Sequence, residues 1–200
     1  MAISNITNFK EIYEHLSNIH DWIISGNAHL SHITNDDIID ACNFFNNMMQ
    51  YQAQDMILYR LFMYAPLKRK DMKNKKTMVT GTDPLQSWSK DKQYLQISLN
   101  SYKKREDWEN WIFVKAHIPK NIILFDVPFF IEELSNTRSI IYKKLSREIE
   151  IKSLISASKT IGSFAVEQEV IVHIEQNKIP IMQYVFVEDV IKDNSILNTI

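Results

Sequence analysis

Glycine is scarce in this chain of 200 residues, where only Gly26, Gly81 and Gly162 occur. Phosphate-binding loops of the Walker type and of the dinucleotide-binding βαβ fold need several glycines close together, because their backbone turns tightly around the phosphates. Glycines this far apart exclude both kinds of loop. If the chain binds a nucleotide, another arrangement must hold it.

Cysteine is scarcer still, since Cys42 is the only one. The chain therefore has no second thiol for an internal disulfide or for a metal site built from several cysteines. The first residues show no positive cap followed by an apolar run, and no stretch reaches the roughly 18 apolar residues of a transmembrane helix. We expect a cytoplasmic protein without a membrane segment.

The chain also has almost no net charge, because it contains 23 basic and 24 acidic residues. Such a balance gives no overall attraction to nucleic acid or to an anionic membrane. Positive charge is nevertheless concentrated at 68–76, KRKDMKNKK. We interpret this run as a solvated loop, with recognition of an acidic protein or a nucleic acid as the alternative.

What is present suits one folded domain over residues 1–200, since 45% of the residues are hydrophobic and the length supports one core. Apolar residues at three- and four-residue steps predict a helix over about 8–24 and another that starts at the capping residues Thr34-Asn35-Asp36. These helices form a predicted helical cap over about 1–54. A β-rich part over about 55–190 and a short C-terminal tail follow, so the predicted class is α+β.

Within the β-rich part, short apolar runs bounded by turn residues predict the strands. Two neighbouring runs, at 110–118 and 121–127, are separated by little more than Pro119, and we expect them to lie side by side in a sheet. Helical period predicts a helix over 91–104 and mostly helix over 128–158. The other predicted strands are at 56–65, within 80–89, at 165–174 and at 181–188.

Arg60 is the one charge in the apolar run MILYRLFMYA. A guanidinium cannot lose its proton, and burying it without an anionic partner is costly. One interpretation is a structural ion pair with a carboxylate. The other is a bound phosphate or carboxylate ligand, which the planar fork of arginine contacts with two hydrogen bonds.

Ser87 and Ser89 flank a tryptophan in the next predicted strand. The two-residue period of a strand places both hydroxyls on one face and Trp88 on the other, toward the core. In one interpretation Ser89 or Asp91 caps the helix that follows and Trp88 only packs. In the other, the hydroxyls belong to a binding site.

The segment Glu167-Gln168-Glu169 opens a later predicted strand. The same period predicts that both glutamates project from one face, opposite the apolar residues. Neighbouring carboxylates repel each other, so one of them holds its proton more tightly. Such a pair is either the solvent face of an edge strand or part of a site that needs it. The apolar residues of the other face are Val166, Val170, Val172 and Ile174.

Taken in order, these three segments resemble the pattern of the arginine-serine-glutamate class of ADP-ribosyltransferases. That pattern has an aromatic residue and arginine on a first strand, Ser-x-Ser on a second and Glu-x-Glu on a later one, read here as Tyr59-Arg60, Ser87-Trp88-Ser89 and Glu167-Gln168-Glu169. The run WIFVKAHIPKNIILFDV resembles the strand, Pro-Lys turn and strand of the family. The resemblance covers about residues 34–190. It departs at Trp88, where threonine is frequent, and in the next helix, which lacks a frequent small alanine.

The resemblance implies a split β-sandwich that holds NAD+ in a cleft between two sheets without a glycine-rich loop. It implies that Tyr59, Arg60, Ser87 and Ser89 bind NAD+, with Arg60 at the phosphates and Ser87 bracing the catalytic glutamate. Glu169 would be that glutamate, holding the nicotinamide-ribose 2′-hydroxyl and stabilising positive charge as nicotinamide leaves. No metal is implied.

For the acceptor, the resemblance implies that Glu167 positions a guanidinium and takes up its proton, and that Phe164 contacts the target protein. The implied activity is mono-ADP-ribosylation of protein arginine. Small chains of this kind resemble transferases of T-even-type bacteriophages and single-domain bacterial toxins, which act in a host cytoplasm. We expect a monomer. The alternatives are an NAD+ glycohydrolase, a nucleic-acid acceptor, or an inactive binding protein with the same fold.

Overall fold

The computed structural model describes residues 9–24, 33–63, 77–79, 84–94, 111–145, 168–174 and 178–200. The chain forms two compact units, one of residues 1–53 and 124–166 and one of residues 54–123 and 167–200. The boundary near residue 54 coincides with the predicted end of the helical cap. The first unit also includes the later segment 124–166, which the sequence placed in the β-rich part.

The described part of the first unit is mainly helical. It contains α1 (Phe9–Ile24), α2 (Asn35–Met49), α3 (Val127–Ser135) and α4 (Ile140–Leu145). The two predicted N-terminal helices are thereby confirmed, and most of the described residues at helical spacing are buried, although Tyr13 is exposed. None of the helices within the described ranges is long and apolar enough to cross a membrane. The buried residues of α1 and α2 include Ile12, Leu16, Ile19, Ile38, Ala41, Phe45, Met48 and Met49.

A capping box starts α2, as the sequence predicted from Thr34. The Thr34 hydroxyl accepts a hydrogen bond from the Asp37 backbone N–H at 3.2 Å. In return, the Thr34 backbone N–H and hydroxyl both donate to the Asp37 carboxylate at 2.7 Å. The hydrogen bond from the Thr34 hydroxyl lowers the pKa of Asp37 below its ordinary value of 3.8, and the bond from the Thr34 backbone N–H lowers it further.

Replacing Thr34 with alanine is expected to lower the free energy of unfolding by about 1 kcal/mol at pH 7, because the cap loses its side-chain hydrogen bonds. The pKa of Asp37 is lower in the folded protein, so the contribution of the box is complete above pH 3.8 and is lost as the pH falls below it. Urea unfolding of both proteins at pH 7 and pH 3 measures this. Thr137→Ala, at another exposed threonine, is the control, and equal unfolding curves for Thr34→Ala and wild type at pH 7 would contradict the expectation.

The second unit is built on an antiparallel sheet. Its strands are β1 (Met56–Met63), β2 (Thr77–Val79), β3 (Leu85–Ser89), β4 (Trp111–Ile118), β6 (Glu169–His173) and β7 (Lys178–Phe186), in the order β2-β7-β4-β1-β3-β6. A further strand, β5 (Ile123–Asp126), spans the boundary between the units. Helices and antiparallel strands together confirm the α+β class.

The prediction that strands 110–118 and 121–127 lie side by side is wrong. One edge of β4 pairs with β1 along its length, from Met56 opposite Ile118 to Met63 opposite Trp111. Its other edge pairs with β7. A strand has only two edges, so none remains for β5. After Pro119 the chain makes a 3-10 turn over Lys120–Ile122 instead of folding back as a hairpin.

The C-terminal residues belong to the core of the second unit and are not a tail. β7 ends at Phe186, earlier than the predicted strand 181–188, and leads into α5 (Val187–Lys192) and a 3-10 helix (Asn194–Thr199). These two short helices pack on Phe113 of β4 and on Tyr59 and Leu61 of β1. Their buried side chains are Val187, Val190, Leu197 and Ile200.

Several predictions lie outside the described residues. They concern the basic run 68–76, the helix 91–104 beyond Tyr94 and the stretch 146–158. Glu167 and Phe164, both assigned to acceptor recognition, also lie outside them.

Candidate active site

The sheet of the second unit is interrupted between β1 and β3. β1 pairs with β4 along its whole length, and β3 pairs with β6 from Leu85 opposite His173 to Ser89 opposite Glu169. Between the described residues of β1 and β3, by contrast, the register joins only Tyr59 and Ser89. A regular ladder would continue to the next residues of both strands. The two strands therefore separate on one side of this pair.

Tyr59, Ser89 and Glu169 form a row across three strands at this junction. Tyr59 lies opposite Ser89, and Ser89 lies opposite Glu169. Residues directly opposite each other in an antiparallel sheet share a face, with their Cβ atoms about 5 Å apart. Ser89 is 2% exposed and Glu169 is 6% exposed. A carboxyl group is therefore buried where the two parts of the sheet meet.

Burial excludes the interpretation of Glu169 as part of a solvent-facing edge strand. The predicted alternation of a polar and an apolar face is also wrong for this strand, because Glu169, Val170, Ile171 and Val172 are all buried. Both faces of β6 are covered. Carboxylates are seldom buried, since the loss of hydration must be offset, so 6% exposure is unusual for a glutamate.

Residues 165–167 of the predicted strand lie outside the described residues, and the strand β6 begins at Glu169. The residue before it, Gln168, has a left-handed backbone with φ of 52°, a conformation that costs a non-glycine residue about 1 kcal/mol or more. The Gln168 carbonyl accepts a hydrogen bond from the Lys90 backbone N–H at 3.0 Å, which holds this turn. The regular alternation of β6 thus begins at Glu169, after this turn.

Ser89, not Ser87, is the serine directly opposite the buried glutamate. Ser87 lies opposite Ile171, two positions along the same ladder. The Ser89 hydroxyl also accepts a hydrogen bond from the Asp91 backbone N–H and donates one to the Asp91 carbonyl, both at 3.0 Å. Those bonds close the turn after β3. Sequence spacing alone does not reveal which serine faces Glu169, because register depends on long-range pairing.

Arg60 spans the place where β1 and β3 separate. Its guanidinium Nη1 donates a hydrogen bond to the Ser87 carbonyl at 2.9 Å. Its Cζ lies 5.0 Å from the centre of the Phe62 ring. A side chain thus connects two strands whose backbones are not paired there. A guanidinium has five N–H donors in a planar fork, and this bond uses one of them.

Trp88 is buried next to Arg60, on the core side that the sequence predicted. The indole is 2% exposed and meets Phe62 edge to face, with the ring centres 5.4 Å apart and an angle of 69°. Within the described part of the chain, the indole N–H has no hydrogen-bond partner. The contribution of Trp88 is therefore the packing of its ring. Sequence reasoning did not single out Phe62, although its spacing of two from Arg60 places both on one face.

No protein-family model, no curated protein and no solved structure matches the chain. A functional assignment consequently depends on the residues at this junction and on their chemistry.

Proposed function

We propose that the protein is a mono-ADP-ribosyltransferase that moves ADP-ribose from NAD+ to an arginine of a target protein. The observation that carries the proposal is the burial of Glu169 directly opposite Ser89 at the place where β1 and β3 separate, which Arg60 crosses with its hydrogen bond to the Ser87 carbonyl. Arg60, Ser87, Ser89 and Glu169, from the three segments that resemble the transferase pattern, lie on three neighbouring strands. Within the described residues, the single pair that joins β1 and β3 agrees with the split sheet that the resemblance implies.

Charge and burial support the roles proposed for Arg60 and Glu169. NAD+ carries a diphosphate, and a guanidinium is suited to bind it with parallel hydrogen bonds. The bond to cleave joins nicotinamide to the C1′ atom of ribose, and positive charge grows on that ribose as nicotinamide leaves. A carboxylate with little solvent around it stabilises this charge more strongly than one in water. Glu169, at 6% exposure, has that setting.

In the proposed reaction the C1′–nitrogen bond to nicotinamide breaks and its electron pair leaves with nicotinamide. A guanidinium nitrogen of the acceptor arginine then bonds to C1′ and loses a proton, which Glu167 takes up. Glu169 holds the ribose 2′-hydroxyl. Ser89, directly opposite Glu169, belongs to the surface beside the ribose.

The proposal is tested by incubating the protein with NAD+ labelled in the adenylate phosphate and with a cell extract. We expect label on proteins, which hydroxylamine at neutral pH should release if it is attached to arginine. Label that appears only as free ADP-ribose would favour NAD+ hydrolysis. Label on nucleic acid would show that the acceptor is a nucleic acid instead of a protein.

Replacing Glu167 with glutamine is expected to lower transfer to arginine by about a hundredfold, because the amide cannot accept the proton of the guanidinium. Release of nicotinamide in the absence of an acceptor should persist, since Glu169 is intact. Both rates are measured with the labelled NAD+ assay. Glu132→Gln, at an exposed glutamate of α3, is the matched control. Equal loss of both activities in Glu167→Gln would contradict separate roles for the two glutamates.

A further inference from the structure

We infer that Gln168 is a positioning residue, whose left-handed backbone holds the Glu169 carboxyl group close to Ser89. The role of Glu169 in this inference rests on the proposed function, in which that glutamate stabilises the ribose. The Glu-x-Glu pattern leaves its middle residue unspecified, and Gln168 occupies that position here.

Gln168 is one of two residues other than glycine that have a left-handed backbone in the described part of the chain. The other is Gln50, and the φ angles of Gln168 and Gln50 are 52° and 57°. Gln50 caps the C-terminus of α2, where its N–H donates to the carbonyls of Asn46 and Asn47 and where left-handed residues are common. None of the described helices ends at Gln168, which directly precedes β6. A left-handed residue that no helix cap explains costs free energy, and such residues are frequent at active sites.

Packing does not account for the conformation of Gln168, because this residue is exposed. The backbone is held by the Lys90 N–H, which donates to the Gln168 carbonyl at 3.0 Å. At the other end of β3 and β6, the Ile174 N–H donates to the Pro84 carbonyl at 2.7 Å. In an antiparallel ladder, hydrogen-bonded pairs alternate with pairs that lack these bonds. An even number of positions separates Pro84 from Lys90, so both bonds give the same alternation.

Ser89 and Glu169 therefore form a pair of the second kind, next to the bond between Lys90 and Gln168. Side chains approach more closely in such pairs, whose Cα atoms are about 4.5 Å apart instead of about 5.5 Å. The Ser89 side chain is fixed by its hydrogen bonds to the backbone of Asp91. Glu169 is the first residue of β6, so its backbone enters the strand directly from the turn at Gln168. The conformation of Gln168 therefore sets the position of the Glu169 carboxyl group relative to Ser89.

The test replaces Gln168 with valine, whose branched Cβ disfavours the left-handed conformation, and with alanine, which shortens the side chain without adding that constraint. Nicotinamide release from NAD+ gives kcat, and calorimetry gives the Kd for NAD+. Calorimetry also counts the binding sites, and kcat is expressed per site so that unfolded molecules do not contribute.

We expect Gln168→Val to lower kcat at least about tenfold and to keep Kd within about threefold of wild type, because a displaced catalytic group costs rate more than binding. Gln168→Ala should stay within about twofold of wild type in both, because alanine takes the left-handed conformation more easily than a branched residue. If Gln168→Val does not fold, Gln168→Thr takes its place, because threonine is also branched at Cβ.

Gln50→Val is the matched control, since it makes the same change at the other exposed left-handed glutamine. It should lower the thermal unfolding midpoint without lowering kcat. The inference is overturned if kcat in Gln168→Val falls less than about tenfold, if its Kd rises as much as kcat falls, or if Gln168→Ala loses as much as Gln168→Val. In each of these cases an active wild type leaves the proposed function standing. A wild type that releases no nicotinamide overturns the proposed function, and the inference with it.

Discussion

Replacement of Glu169 by glutamine is expected to lower ADP-ribosyl transfer and nicotinamide release by at least about a hundredfold. The amide has nearly the shape of the carboxyl group but no negative charge, so it cannot stabilise the positive charge on the ribose. The effect should be large because Glu169 is buried beside Ser89, where water screens its charge weakly. Affinity for NAD+ should change much less than the rate.

Initial rates with labelled NAD+ and a Kd from calorimetry separate these two effects. Glu14→Gln, at an exposed glutamate of α1, controls for the general loss of one negative charge. The thermal unfolding midpoint of Glu169→Gln is measured as well, so that a loss of rate is distinguished from a loss of stability. A variant that keeps more than about a tenth of the wild-type rate would contradict a catalytic role for Glu169.

Arg60→Lys is expected to raise the KM for NAD+ between about 10- and 100-fold, since hydrogen bonds to a charged group contribute about 1.5–3 kcal/mol each. Lysine keeps the positive charge but loses the planar fork. A single ammonium group cannot at once donate to the Ser87 carbonyl, lie flat on Phe62 and offer two parallel donors to a phosphate. The substitution therefore removes the planar arrangement of the N–H donors and keeps the positive charge.

Steady-state kinetics over a range of NAD+ concentrations measures this change. Arg138→Lys, at an exposed arginine between α3 and α4, is the matched control and should leave KM unchanged. An unchanged KM in Arg60→Lys would show that charge alone suffices, and would contradict the role given to the guanidinium.

Features that depend on neighbouring residues could be predicted from the sequence. The bounds of α1 and α2 follow from apolar spacing, and the start of α2 follows from the capping residue Thr34, whose bonds reach only three residues ahead. The position of β1 and the burial of Trp88 follow in the same way from short apolar patterns. Each of these features depends on residues that lie only a few positions apart in the sequence.

Features that depend on pairing between distant strands could not be predicted. The serine opposite Glu169 is Ser89 because β3 and β6 meet in one particular register, and a shift of two residues would have placed Ser87 there. The separation of β4 from β5 has the same origin, because β1 and β7 already occupy both edges of β4. The left-handed Gln168 carries no glycine or asparagine signal in the sequence.

The C-terminal segment was expected to be a tail, yet several of its apolar residues are buried. They are buried only because β4 and β1 present Phe113, Tyr59 and Leu61 to them. A short helix of this kind gains its stability from packing and little from its own sequence. Its place in the core could not be read from the segment alone.

The central claim, transfer of ADP-ribose from NAD+ to arginine, is tested most directly by following both products of one reaction. The wild-type protein is incubated with an arginine-containing protein acceptor and NAD+ labelled differently in nicotinamide and in the adenylate phosphate. The account predicts equal molar amounts of free nicotinamide and of protein-bound ADP-ribose, with the modification located on arginine by mass spectrometry. Recovery of intact NAD+, or release of nicotinamide with all ADP-ribose left free in solution, would contradict it.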